Sequence, residues 1–165
     1  MLRIAAMLLA GLLAAAGVSL YATADQLPAR VASHFNFEGL ADGTMLRSDY
    51  LLLMSFLTLA VPLLLVALHV VLPRIAPSFV RLPARDYWLA AERRSATRAS
   101  IAASGLVIAS VVAAFMVALN LLVVVANGRT PPRLDIALLW TLVAILVGAS
   151  LACQFFLRKR FQPPQ

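Results

Sequence analysis

Residues 101–126 read IAASGLVIASVVAAFMVALNLLVVVA, and this stretch decides the fold. It holds no ionisable side chain, and it exceeds the about 20 apolar residues with which a helix crosses a hydrocarbon core. Three further runs are of the same kind: Ile4–Ala22, Tyr50–Leu72 and Leu134–Leu157. Asp135, at the edge of the last, is the one charged residue in any of the four. The fold expected is an all-α integral membrane protein, a four-transmembrane-helix bundle forming a single membrane domain over residues 1–165. Its helices fall at about 4–22, 50–72, 101–126 and 134–157. Between them lie an outer loop, 25–49, and a cytoplasmic loop, 73–100, expected to carry an interfacial helix.

Composition agrees. The 165 residues are 62% hydrophobic and 13% charged, a balance foreign to a water-soluble domain of this size. The net charge of +7 would suit nucleic acid if the cations formed a stripe or face, but they flank apolar spans in short loops. Nucleic acid is therefore not an expected partner; the lipid bilayer is. Cys153 is the only cysteine, which excludes an intrachain disulfide and a paired-cysteine metal site.

Lys and Arg near the ends of spans are retained on the cytoplasmic side. Arg3, Arg74, Arg81, Arg85, Arg93, Arg94, Arg98, Arg158, Lys159 and Arg160 fall on one side, and Arg30, Arg47, Arg129 and Arg133 on the other. Both termini are thus expected in the cytoplasm of a bacterial inner-membrane protein. Tyr21 and Tyr50 bracket the first loop, where interfacial aromatic residues would sit. Ala22-Thr23-Ala24 after the first run resembles a signal-peptidase site, but the run is longer than the apolar region of a signal peptide. A retained first helix is expected.

Lipid supplies no hydrophobic drive between helices, so close packing must come from small side chains. Ala6, Ala10 and Ala14, then Gly105, Ala109 and Ala113, then Ala144, Gly148 and Ala152 repeat at every fourth residue, and these rows are expected to pack face to face. Pro62, near the middle of the second span, is expected to kink it. Ion and proton pathways are marked by ionisable groups inside the bundle, whereas Asn120 and Gln154 do not titrate. His69, near the end of the second span, reads as an interfacial histidine.

The outer loop reads DQLPARVASHFNFEGLADGTMLRSD. His34, Glu38 and Asp42 would share one face of a helix, but Asn36, Gly39 and Gly43 are turn residues that favour a short extended or turn-rich structure. Imidazole and carboxylates are competent metal ligands, yet no paired-ligand motif is present. A His34–Asp42 acid–base pair would suit hydrolysis but lacks a nucleophile motif. Neither metal nor other cofactor is expected, nor a catalytic residue. Phe35 and Phe37 are expected to pack the loop onto the helix ends.

In the cytoplasmic loop, RDYWLAAERRSATRAS, residues 85–100, is expected to be helical. Asp86 would cap its first turn, with Arg93 and Arg94 nearer its end. Trp88 and Leu89 would lie in the lipid interface. Asp86, Tyr87, Trp88, Arg93 and Arg94 are also the candidate docking surface for a cytoplasmic partner.

LPARVASHFNFEGLADG, residues 27–43, resembles the pattern of a small membrane domain of unknown function found at the amino end of SdpI-type immunity proteins. The residues that carry it are Pro28, His34, Phe35, Asn36, Gly39, Asp42 and Gly43. LPARDYWLAAERR, residues 82–94, is similar to the cytoplasmic segment of short stand-alone members of that family. The resemblance implies a role of the kind SdpI proteins have, in immunity to secreted killing peptides and in signalling across the membrane. The additional membrane domain of full SdpI proteins has no counterpart in these residues.

The expected function is that of a non-enzymatic sensor, immunity-like or accessory factor whose outer loop recognises an extracytoplasmic peptide ligand. The alternative is a structural or accessory subunit of a transporter or membrane complex, in which the small-residue rows meet another membrane protein or a second copy of the chain. A membrane-embedded metal-dependent hydrolase, resting on His34, Glu38 and Asp42, is the third reading. Topology is tested with single cysteines at Ser33 and Ser95 in a Cys153→Ser background. An impermeant thiol reagent should label the first and not the second in intact cells, and the reverse pattern overturns the orientation.

Overall fold

Backbone groups inside lipid find no water, so each long apolar run must close its hydrogen bonds within itself. The computed structural model describes residues 2–162. Four helices in it are long and apolar enough to cross a membrane, and the chain is a multi-pass membrane protein. They are α1 Leu2–Thr23, α2 Arg47–Ile75, α3 Arg94–Asn127 and α4 Ile136–Arg160. Between α1 and α2 the chain forms an antiparallel hairpin of β1 Arg30–Phe35 and β2 Ala41–Leu46. The hairpin and the α3–α4 loop meet at one end of the bundle, the hairpin end. The α2–α3 connection and the last residues of α4 meet at the opposite, terminal end.

The hub is α3, which packs on α1, α2, α4 and β1. Its small-residue row is buried: Ala102, Gly105, Ala109 and Ala113 let neighbouring backbones approach. The rows on the other two helices face outward, contrary to the face-to-face packing expected of them. Ala6, Ala10 and Ala14 are exposed on α1, as are Ala144, Gly148 and Ala152 on α4. The physical reason lies in the seam: α1 fills it with Leu9, Leu12 and Leu13, which pack with Leu106, Ala109 and Ala113. Leucines against a small-residue row gain more dispersion contact than two small rows would.

Pro62 is buried within regular helix, and the departure from α geometry comes after it, as a single π-helical turn at Ala67–Val71. His69 sits on that turn, its Nδ1–H donating to the Leu65 carbonyl at 2.8 Å. Its Cβ and ring base lie directly on Gly105, where a methyl group would overlap both. The histidine expected at the interface is thus a packing partner of α3.

The segment 85–100 is not one interfacial helix. A single turn, Arg85–Trp88, is followed by a reversal, and α3 begins at Arg94, well ahead of Ile101. The turn is entered through Ala84 at φ 48°, and Thr97 Oγ1 donates to the Trp88 carbonyl at 2.8 Å, closing the reversal against α3. Asp86 makes no cap; its carboxylate takes the Arg85 Nε–H at 3.4 Å.

A buried polar chain links three helices below the hairpin. Tyr50 Oη–H donates to Asn120 Oδ1 at 3.0 Å, Asn120 Nδ2–H to Thr23 Oγ1 at 3.1 Å, and Thr23 Oγ1–H to the Ser19 carbonyl at 2.7 Å. Tyr50, expected at the membrane interface, is only 3% exposed because its hydroxyl has this partner inside. Tyr21 does face outward, 87% exposed.

The contact between α2 and α3 is directly testable. Gly105→Ala should destabilise the protein in detergent by about 1–3 kcal/mol, the usual cost of overpacking, and the loss should be much smaller in a His69→Gly background, which removes the Cβ that the added methyl group meets first. Equal losses in both backgrounds would show that the two residues do not share the contact.

Candidate functional site

The hairpin is built by its turn and held by its neighbours. Asn36 closes the turn: its Oδ1 accepts the Glu38 and Leu40 N–H groups at 3.0 and 2.9 Å, and its carbonyl accepts the Gly39 N–H at 2.9 Å. Gly39 has φ 81°, a conformation that costs any residue with a Cβ. A methyl group there would also strike the Leu134 carbonyl. Gly43 serves differently, since it lies opposite His34 and a Cβ would come within 2.9 Å of the His34 Cβ. Irregular register on either side of His34 brings that pairing about.

Three anchors fix the hairpin to the helices. Asn127, in the last turn of α3, presents its amide to β1 as a neighbouring strand would: Oδ1 accepts the Ala32 N–H at 2.8 Å and Nδ2–H donates to the Ala32 carbonyl at 3.0 Å. Arg47, the first residue of α2, donates its backbone N–H to Ala29 at 3.0 Å and its guanidinium to the carbonyls of Leu27 and Ala24 at 3.2 and 3.4 Å. The α3–α4 loop lies beside the turn, with Leu134 N–H donating to Gly39 at 2.8 Å and Ala41 N–H to Pro132 at 3.3 Å.

On this frame His34 Nδ1–H donates to Asp42 Oδ1 at 2.5 Å, the two side chains being 76% and 45% exposed. They stand on the rim of a groove of about 460 Å³ between the hairpin and α4. Phe35, Asn36 and Phe37 line its hairpin side, and Leu139 and Trp140 its helix side. Phe35 packs partly on the core beneath. Phe37, expected to pack on the helix ends as well, is instead 94% exposed, because the turn carries it away from the bundle. Pro28 is exposed at the entry to β1, outside the groove.

The three residues of the metal-hydrolase reading are not brought together. Glu38 belongs to a separate depression with Arg129, Arg133 and Asp135. Among the described residues no group of three His, Cys, Asp or Glu side chains could hold a metal ion. The nearby Thr44 hydroxyl is engaged by the Arg30 guanidinium at 3.3 Å. What the groove offers is an aromatic and aliphatic wall beside a polar rim.

At the terminal end the second group of candidate residues is also assembled. Trp88 is half-buried; its Nε1–H donates to the Phe161 carbonyl at 3.1 Å, and the two rings meet edge to face with centroids 5.2 Å apart. Tyr87 meets Trp88 edge to face, and the Arg93 guanidinium lies 3.9 Å from the Tyr87 ring centroid. Arg94 is exposed at the start of α3.

Sequence reasoning missed Asn127, Arg47 and the Tyr50–Asn120–Thr23 chain. An asparagine closing an apolar helix reads as a terminator, and nothing local points to Ala32, 95 positions away.

A family model for a domain of unknown function (DUF1648) matches residues 8–59, a span that takes in most of α1, the whole hairpin and the first turns of α2. No curated protein and no solved structure matches the chain.

Two substitutions separate frame from chemistry. Gly39→Val should lower the melting temperature in detergent by several degrees and speed hydrogen exchange in the hairpin, while His34→Ala should leave both nearly unchanged. If divalent metal raises the stability of wild type but not of His34→Ala, the groove rim is a metal site.

Proposed function

We propose that this chain is a non-enzymatic, sensor- or immunity-like factor of the bacterial inner membrane, with the hairpin on the extracytoplasmic side and both termini in the cytoplasm. The observation that carries it is the groove between hairpin and α4. A rigidly anchored two-stranded element holds an exposed Phe37 and the His34–Asp42 pair above a wall of Leu139 and Trp140. Such a surface suits an amphipathic peptide arriving along the membrane: its apolar face would rest on Trp140 and Phe37 and its polar groups on the rim. The resemblance of residues 27–43 to the small domain of SdpI-type immunity proteins supports a secreted peptide as the ligand. The uneven distribution of Lys and Arg supports the orientation.

A second reading, a structural or accessory subunit of a transporter or larger complex, is favoured by α4. Its row of Ala144, Gly148 and Ala152 is exposed along its length. A methyl group added at Gly148 would meet nothing within 4 Å, leaving room for another helix.

The test is survival of cells challenged with secreted killing peptides, with and without the chain. Wild type should protect, and Phe37→Ala combined with Trp140→Ala should lose most of that protection at equal membrane abundance. Equal protection by the double variant would remove the groove from the function. Protection lost instead by Gly148→Leu would favour the accessory-subunit reading.

A further inference from the structure

Charge is divided sharply between the two ends. The terminal end holds ten of the 14 Lys and Arg residues but only Asp86 and Glu92 of the seven acids. Among the described residues its one ion pair is the exposed Arg85–Asp86 contact at 3.4 Å. The Nε of Arg98 is buried there with no partner. The hairpin end, by contrast, is close to neutral, with four cations and five acids.

The fold gathers these cations from segments far apart in sequence. Trp88 and Phe161 are clasped by a hydrogen bond and an edge-to-face ring contact. The clasp brings the end of α4, with exposed Arg158, Lys159 and Arg160, to the turn that carries Arg85, Arg93 and Arg94. At the end of α2 and just beyond it, Ile75 and Phe79 are 75% and 71% exposed, with Arg74 before them and Arg81 after. Apolar side chains interleaved with arginines where a span ends are the pattern of a segment lying in the headgroup layer.

We propose that the terminal end is a composite binding site for anionic phospholipid headgroups, formed between the Arg85–Arg94 turn and the Arg158–Arg160 run and closed by the Trp88–Phe161 clasp. Guanidinium groups take phosphate oxygens in pairs, and Ile75 and Phe79 enter the acyl layer beside the bound lipid. The site rests on no part of the hairpin reading.

The experiment places the purified full chain in nanodiscs of phosphatidylcholine alone or mixed with phosphatidylglycerol. It measures melting temperature and the lipid retained in native mass spectrometry. Phosphatidylglycerol should raise the melting temperature by several degrees and remain bound to wild type. The Arg158→Gln/Lys159→Gln/Arg160→Gln variant should lose at least half of that gain while matching wild type in phosphatidylcholine, which shows that it folds. Trp88→Phe, which keeps a ring but loses the N–H, should also reduce the gain. Arg129→Gln/Arg133→Gln, at the hairpin end, should keep it. The proposal is overturned if the triple variant keeps the full gain, or if the hairpin-end variant loses as much. It is equally overturned if phosphatidylglycerol gives no gain, an outcome that would leave the cations to an acidic protein partner.

Discussion

A hairpin of two short strands is at best marginally stable on its own, and this one holds its place through the amide of Asn127. Both polar atoms of that side chain are given to one residue of β1, and a further bond from Nδ2 returns to the Val123 carbonyl in α3. The strand edge is thereby closed without a third full strand. It is also tied to the helix that every other helix touches. Below it, the Tyr50–Asn120–Thr23 chain joins α2, α3 and α1 at the level where the strands leave the bundle. Hydrogen bonds between helices in membranes are individually modest, averaging about 0.6 kcal/mol in one measured case. Their value here is geometric: they set which face of each helix meets the hairpin.

Lipid-facing and protein-facing surfaces differ little in composition, and this governs how the helices pack. The row on α3 is filled by leucines of α1 and by the His69 ring, whereas equivalent rows on α1 and α4 stay open. A small residue in a membrane helix permits close approach but does not say which neighbour will come. The neighbour is decided by the shape of the opposing face. The π turn at Ala67–Val71 is a case in point, because it carries His69, which packs on Gly105, the one position of α3 that lacks a Cβ.

The four helices were legible because apolar length is a property of each segment alone. Turn chemistry was legible for the same reason: Asn36 and Gly39 mark a reversal whatever surrounds it. The interruption between Trp88 and Arg94 was not, since RDYWLAAERRSATRAS has helical propensity throughout. It breaks because Trp88 finds Phe161 and Thr97 finds the Trp88 carbonyl, contacts that exist only after folding. The same distinction divides the candidate site. His34 and Asp42 were recognisable as a pair by residue type, but a helical face would have included Glu38, which the hairpin turn instead carries to a separate depression. Phe35 and Phe37, alike in sequence, separate into one packed and one exposed ring because they fall on either side of the point where β1 ends.

The unbroken length of α3 has a mechanical consequence. Its 34 residues make a rod about 50 Å long, well beyond a hydrocarbon core of about 30 Å. One tip carries the amide that grips the hairpin, and near the other Thr97 grips the Trp88 turn. A bilayer accommodates an apolar stretch longer than its core, here residues 101–126, by tilting the helix that carries it, and a lever pivoting at its middle moves its tips in opposite directions. A tilt of about 5° displaces each tip by about 2 Å on that length, close to the width of a hydrogen bond. Both grips therefore sit on one continuous helix, so a tilt of that helix moves the hairpin and the Trp88 turn together.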